Sequence, residues 1–139
     1  MTTHVLLDNQ AVQAVADTAH PQHRALMAHV EASLDRRDPR TTRPRLRVPT
    51  TVRVEAGVDR TQPSSAPFNQ LRIIDHPLDG HAADTAASIR RRHGVGPADA
   101  HLAALAHALP TDDRIVVLTN DPDDIRRATA PRSVDVRTV

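Results

Sequence analysis

The sequence contains no cysteine, tryptophan or tyrosine, and Phe68 is its only phenylalanine. The absence of cysteine excludes disulfide bonds, thiolate-ligated zinc and a thiol nucleophile. Hydrophobic residues still make up 39% of the 139 residues, which is enough for a folded core. Because aromatic side chains are almost absent, we expect leucine, valine, isoleucine and alanine to fill that core. The length predicts a single domain over residues 1–139.

Long apolar runs are also missing from the sequence. No stretch approaches the roughly 20 residues that a membrane-spanning helix needs. The first ten residues, MTTHVLLDNQ, lack the charged region and the long apolar region of a secretion signal. We therefore expect a cytoplasmic protein without a membrane partner.

Lysine does not occur, so all 18 basic residues are arginine, against 17 acidic residues. Arginines are concentrated in two segments, at 36, 37, 40, 43, 45 and 47 and at 90, 91 and 92. Forked guanidinium groups suit phosphate contacts, which keeps a nucleic acid open as a partner. A GC-rich genome explains the preference for arginine equally well, and solvated surfaces explain the two clusters.

Several common catalytic signatures are absent. The sequence has no H-E-x-x-H zinc motif, no P-loop and no G-x-G-x-x-G turn. The pairs His20 and His23, and His101 and His107, do not have the spacing of a zinc site. We therefore expect the nine histidines to be scattered and solvated.

Short apolar runs alternate with helical patterns along the chain. The runs predict strands over 4–7, 46–48, 71–74, 114–119 and 134–139. Helical spacing covers 11–19, 78–93, 97–109 and 122–129. It also covers a segment from Pro21 that includes Leu26, Val30 and Leu34, and a segment capped by Thr50 or Thr51 that reaches Val58. Segments 35–45 and 59–69 are rich in polar residues and proline and predict loops. This alternation indicates a parallel α/β sheet that is covered on both faces.

Acidic residues follow two of the predicted strands. Asp8 comes directly after the first strand, and Asp121 lies two residues after the fourth. Ligands of open parallel sheets bind beyond the carboxyl ends of the strands, where the strand order reverses. Asp99 in the first turn of one helix and Glu55 on another can reach the same edge. Crowded carboxylates need a cation, and all-oxygen ligands select Mg²⁺ or Mn²⁺.

Helix capping is the competing interpretation of these acids. Asp121 precedes Pro122 as an N-cap does, and Asp99 follows Pro97 in a first turn. Asp124 stands at the third helical position, where we expect its carboxylate to interact with the helix dipole. Spacing alone leaves capping and metal binding open for Asp99 and Asp121.

Four segments of the sequence resemble a PIN domain, particularly the actinobacterial VapC-like branch. They are VLLD (5–8), VPTTVRVEAG (48–57), GVGPADAHLAALA (94–106) and VVLTNDPDDI (116–125), and the closing VDVRTV (134–139) resembles the last strand of the family. The resemblance places the family's acids on Asp8, Glu55, Asp99 and Asp121. Thr119 matches the threonine of a Thr-x-Asp element and is expected to support the site by hydrogen bonding.

The resemblance implies a three-layer α/β/α sandwich with a central parallel sheet. It also implies Mg²⁺ or Mn²⁺ dependence, endonucleolytic cleavage of RNA, a homodimer and neutralisation by a cognate antitoxin. The sequence departs from the family at Gln10, where a small hydroxyl residue is common, and in the proline-interrupted segment 59–70. A PIN-fold binding module that no longer cleaves, and an unrelated α/β protein whose acids are caps, are the alternatives. With so few aromatics for base stacking, RNA recognition is expected to depend on arginine–phosphate contacts.

Overall fold

The computed structural model describes residues 2–32 and 45–139. Within these ranges the strands are β1 (Thr3–Leu7), β2 (Arg45–Pro49), β3 (Ile74–His76), β4 (Arg114–Thr119) and β5 (Asp135–Thr138). The helices are α1 (Asn9–Ala16), α2 (His23–Ala32), α3 (Thr50–Ala56), α4 (Ala66–Gln70), α5 (Gly80–His93), α6 (Pro97–Ala108) and α7 (Pro122–Thr129), and a 3₁₀ turn spans Pro63–Ser65.

The five strands form one parallel sheet in the order β3-β2-β1-β4-β5. The chain builds the sheet outward from β1 to β3 and then returns to the other side of β1. The strand order therefore reverses between β1 and β4, where Leu7, the last residue of β1, is paired with Leu118 of β4. The predicted parallel α/β sheet is confirmed.

Helices cover both faces of the sheet, because successive residues of each buried strand point to opposite sides. Val5 and Leu7 of β1 belong to a core with residues of α1, α2, α3 and α4. Leu6 of β1 packs with residues of α6 and α7 on the other face. Alanines of α5 and α6 allow these two helices to pack closely. The result is the expected three-layer α/β/α sandwich.

The segment 59–69, predicted to be a loop, is partly helical. Its prolines begin helical turns: Pro63 opens the 3₁₀ turn, and Pro67 stands in the first turn of α4. Phe68 is fully buried, and the guanidinium of Arg60 lies 4.7 Å from the centre of its ring. The prediction was wrong because we interpreted these prolines as helix breakers.

Several boundaries also differ from the prediction. β3 begins at Ile74, because Leu71 ends α4 and Arg72 has a left-handed backbone with φ of 54°. The second helix begins at His23, two residues after Pro21. Leu34 and most of the predicted 35–45 loop lie outside the described residues, while Arg45 begins β2.

The expected caps of the third helix, Thr50 and Thr51, are both inside α3, which Pro49 precedes. The Thr50 hydroxyl instead accepts a hydrogen bond from the backbone N–H of Leu78. The Thr51 hydroxyl contacts the Nδ1 atom of His101. These two threonines therefore connect α3 to other parts of the fold.

Two histidines are buried, which contradicts the expectation that all nine are solvated. His4 is 4% exposed, and its Nε2 atom donates to the Asp113 carboxylate at 2.8 Å. His101 is 1% exposed. His4 lies in the buried strand β1, and His101 lies in the largely buried helix α6. Each imidazole has a hydrogen-bond partner, which makes its burial possible.

No helix in the described part of the chain is both long and apolar enough to cross a membrane.

Candidate metal centre

The reversal of strand order brings Asp8 and Asp121 to the same edge of the sheet. Asp8 follows β1, and its backbone N–H donates to the carbonyl of Leu118 in β4 at 3.2 Å. Asp121 follows β4 after Asn120 and precedes α7. The site therefore lies where an open parallel sheet places its ligands.

Thr119 connects these two acids. It is the last residue of β4 and is fully buried. Its hydroxyl donates to the Asp8 carboxylate and accepts the backbone N–H of Asp121 at 2.9 Å. One hydroxyl thus contacts both the Asp8 carboxylate and the backbone that carries Asp121.

Asp8 is 4% exposed and caps α1 by accepting the backbone N–H of Ala11 at 3.1 Å. Burial raises the pKa of the Asp8 carboxyl, while the hydrogen bonds from Thr119 and from the N–H of Ala11 oppose the rise. Asp8 therefore serves as a helix cap and also presents a buried carboxyl at the edge of the sheet.

The pKa of Asp99 is affected by the other acids at this edge of the sheet. It lies half-buried in the first turn of α6, whose N-cap residue is Gly96. Burial is the largest cause that raises the pKa of Asp99 to about 6, followed by the charges of Asp8, Asp121, Asp124 and Glu55. The carboxyl of Asp99 therefore lies close enough to the other three predicted site residues for their charges to act on it.

Asp124 also belongs to this cluster, although the sequence interpretation assigned it only to the helix dipole. One carboxylate oxygen each of Asp99, Asp121 and Asp124 lie within 4.8 Å of one another. Asp124 also accepts from the Arg127 guanidinium at 2.6 Å. The spacing contained a signal, because the N-cap and the third residue of a helix face each other.

Asp121 occupies the N-cap position of α7, but its side chain makes no capping hydrogen bond of normal geometry. The N–H of Asp124 is near enough to lower the pKa of Asp121. A hydrogen bond with the Asp124 carboxyl has the larger effect, and the pKa of Asp121 is raised overall. The exposed carboxyl of Asp121 is thus directed mainly at another acid.

Glu55 lies at the margin of the cluster. It is exposed on α3, and one of its carboxylate oxygens accepts from the Asn9 side chain at 2.8 Å. The Gln10 side chain donates to Gln22 at 3.1 Å, whereas its backbone N–H faces the Asp8 carboxylate. Asp8 therefore receives its support from Thr119 and from backbone groups, without a side chain at position 10.

The donor set fits a hard divalent cation. Mg²⁺ binds oxygen ligands at about 2.0–2.1 Å, so two of its ligands lie at most about 4.2 Å apart. One oxygen each of Asp99, Asp121 and Asp124 lies within 4.8 Å of the others, so these oxygens would approach one another to share one ion. Oxygen-only ligands favour Mg²⁺ or Mn²⁺ over zinc or copper.

Comparison with known proteins supports the fold. No family model and no curated protein matches the sequence. Among solved structures, the crystal structure of VapBC2 from Rickettsia felis bound to a DNA fragment from their promoter is similar. Its matching chain superposes with a TM-score of 0.61 at 10% identity, over 97% of this chain and 98% of that chain. The chain has the PIN fold. In this PIN fold the acid cluster lies beyond the ends of β1 and β4.

The raised pKa of Asp99 predicts how the stability of the protein without metal changes with pH. The folded protein binds a proton on Asp99 more tightly than the unfolded chain does, so stability falls as pH rises from about 4 to about 6. Because the side chain is only half-buried, solvent screening reduces the effect to roughly 1 kcal/mol. Asp99→Asn should remove it and be more stable than wild type at pH 7.5.

Urea denaturation of both proteins in EDTA at pH 4 and pH 7.5 measures this effect. Equal stabilities of wild type and Asp99→Asn at pH 7.5 would show that the acids do not strain the fold.

Proposed function

We propose that this protein is a metal-dependent endoribonuclease of the VapC type, the toxin of a toxin–antitoxin pair. The observation that carries the proposal is the convergence of Asp8, Asp99 and Asp121 at the strand-order reversal of a PIN fold. Helix capping accounts for one hydrogen bond of Asp8, whereas the side chain of Asp121 makes no capping hydrogen bond of normal geometry. The assignment to the actinobacterial branch rests on the sequence resemblance alone.

In this proposal Asp8, Asp99 and Asp121 hold Mg²⁺ or Mn²⁺, and Asp124 is a further candidate ligand. The bound cation supplies Lewis-acid stabilisation of the charge that develops on the phosphate. Thr119 keeps Asp8 in place through its hydroxyl. Glu55 uses Oε1 to bind Asn9, which leaves Oε2 to accept a proton from the attacking water.

The first test replaces the buried Asp8 and the half-buried Asp99 in separate variants. Asp8→Asn and Asp99→Asn should remain folded and lose RNA cleavage by more than the roughly 10–100-fold that outer partners of a metal typically cost. Excess Mn²⁺ at about 100 times its Kd should stabilise wild type by about 2.7 kcal/mol. We expect both variants to lose most of that stabilisation.

Asp123→Asn is the matched control, because the Asp123 side chain is on α7 next to the cluster but is 95% exposed. Cleavage of a labelled RNA and melting curves with and without Mn²⁺ give the two measurements. Wild-type cleavage by either test variant would remove that residue from the proposed site.

A second test separates capping from metal binding at Asp121. Serine caps helices about as well as aspartate does, so Asp121→Ser should leave the stability of the fold within about 0.5 kcal/mol. If Asp121 is a ligand, the same change should sharply reduce both the cleavage rate and Mn²⁺ affinity.

Asp124→Gln is the comparison for that test. We place the ligand from this end of α7 at Asp121 and not at Asp124, so Asp124→Gln should cost less than about 1 kcal/mol of stability and retain more activity than Asp121→Ser. Isothermal titration with Mn²⁺ and cleavage kinetics measure the difference. Loss of activity on replacing Asp124, with Asp121 dispensable, would reverse the two assignments.

We also propose that a cognate antitoxin neutralises the enzyme in the cytoplasm, and that the active form is a homodimer. The structural relative is a VapBC2 assembly on promoter DNA. An anionic cleft attracts cations, so a basic antitoxin side chain should occupy the edge near Asp8 and Asp121. Co-expression with the product of the adjacent gene should yield a complex whose cross-links map to this edge. A partner that docks far from Asp8 and Asp121 would contradict the prediction.

A non-cleaving PIN-fold module is the competing function, and Gln10 is the observation that favours it. The Gln10 side chain contacts Gln22 and contributes no side-chain hydrogen bond to Asp8. The Mn²⁺ titration distinguishes the two functions, because a module without a metal site gains no stability from the ion.

A further inference from the structure

Three arginines, Arg90, Arg91 and Arg92, form the last turn of α5, and all three are exposed. This is the second arginine cluster of the sequence, and the acid site does not use it. Cations at the end of a helix also balance its dipole, an effect worth about 0.3–1 kcal/mol each. The question is whether the cluster does more than stabilise α5.

The partners of these arginines differ. Arg90 donates to the carbonyl of Val95 at 3.2 Å. On α7, Arg126 and Arg127 are each paired with an aspartate of their own helix. Arg91 and Arg92 have no hydrogen-bond or carboxylate partner among residues 2–32 and 45–139. They are therefore two guanidinium groups whose donors are free for an external anion.

The connection between α5 and α6 places the end of α5 near the start of α6, which carries Asp99. α5 ends at Gly94, whose φ of 68° is left-handed, and α6 begins at Pro97 and carries Asp99 in its first turn. The two consecutive helices pack against each other, and packed helix axes are about 8–10 Å apart. The end of α5 and the start of α6 therefore lie at the same edge of the molecule.

We propose that Arg91 and Arg92, which we call the α5 arginine pair, bind the phosphate backbone of the RNA next to the cleavage site. This inference rests on the proposed function for the identity of the polyanion. An edge with several carboxylates repels RNA, so neighbouring unpaired cations are needed to hold a strand there. Forked guanidinium groups bind phosphate oxygens through two parallel hydrogen bonds. The near absence of aromatic residues leaves such contacts as the main source of affinity.

The test is RNA binding without divalent metal, which separates binding from cleavage. A fluorescein-labelled single-stranded RNA of mixed sequence is titrated with full-length protein in EDTA, and anisotropy is followed over a range of salt concentrations. Each phosphate contact to a single strand contributes about −0.7 to the slope of log K against log salt. The double variant Arg91→Gln, Arg92→Gln should therefore lose about 1.4 of the slope.

That change in slope also predicts a change in affinity ratio. The ratio of the RNA affinity of wild type to that of the double variant should fall about sevenfold between 50 and 200 mM salt.

A double variant of equal charge, Arg72→Gln with Arg114→Gln, is the control. Arg72 precedes β3 and Arg114 begins β4, so both lie at the amino-terminal edge of the sheet, opposite the acids. Its slope should remain close to that of wild type.

The outcomes distinguish this inference from the proposed function. An unchanged slope in the α5 double variant overturns the inference, even if Mn²⁺-dependent cleavage is found. Equal losses in both double variants also overturn it, because they would indicate a general charge effect. Salt-dependent binding through the α5 pair without any cleavage would support the surface and contradict the ribonuclease. Loss of binding to an acidic partner protein, with RNA binding unchanged, would show that the pair serves a protein instead.

Discussion

The parallel pairing of β1 with β4 is the constraint on which the site depends. The two strands are more than 100 residues apart in the sequence, and their pairing places their ends side by side, with Leu7 opposite Leu118. The residues that directly follow the two strands, and the first turns of α1 and α7, therefore lie close together. Thr119 makes use of this proximity, since a buried hydroxyl with both a donor and an acceptor role needs two partners within reach.

The cluster illustrates how a fold can hold charges that oppose its stability. Hydrogen bonds from Thr119 and the backbone offset part of the cost of burying Asp8, but Asp99 has no comparable compensation. Its pKa near 6 shows that proximity to other carboxyls, added to burial, prevails over the favourable position in a first helical turn. A cluster of this kind is unfavourable for an empty scaffold and favourable for a cation site.

Features that depend on local pattern could be predicted from the sequence, and features that depend on tertiary contacts could not. Strand alternation with helices placed Asp8 and Asp121 correctly at strand ends. Nothing local shows that the carboxyl of Asp124 approaches Asp99, which belongs to another helix. The burial of His101 likewise depends on Thr51 of α3, 50 residues away. The segment 59–69 was misjudged because proline begins helical turns as readily as it ends them.

The contacts of Arg47 give one arginine of this lysine-free chain a geometric reason to be arginine. Its Nε atom donates to Nδ1 of His4 at 2.9 Å, and its Nη1 atom donates to Nε2 of His76 at 2.7 Å. The two imidazoles lie on β1 and β3, the strands on either side of β2, and both receive one planar fork from Arg47, which an ammonium group on a flexible stem cannot reproduce. Each accepting nitrogen must be unprotonated, and the pKa of His76 is lowered by burial and by the charge of Arg47. Position 47 therefore requires the guanidinium shape.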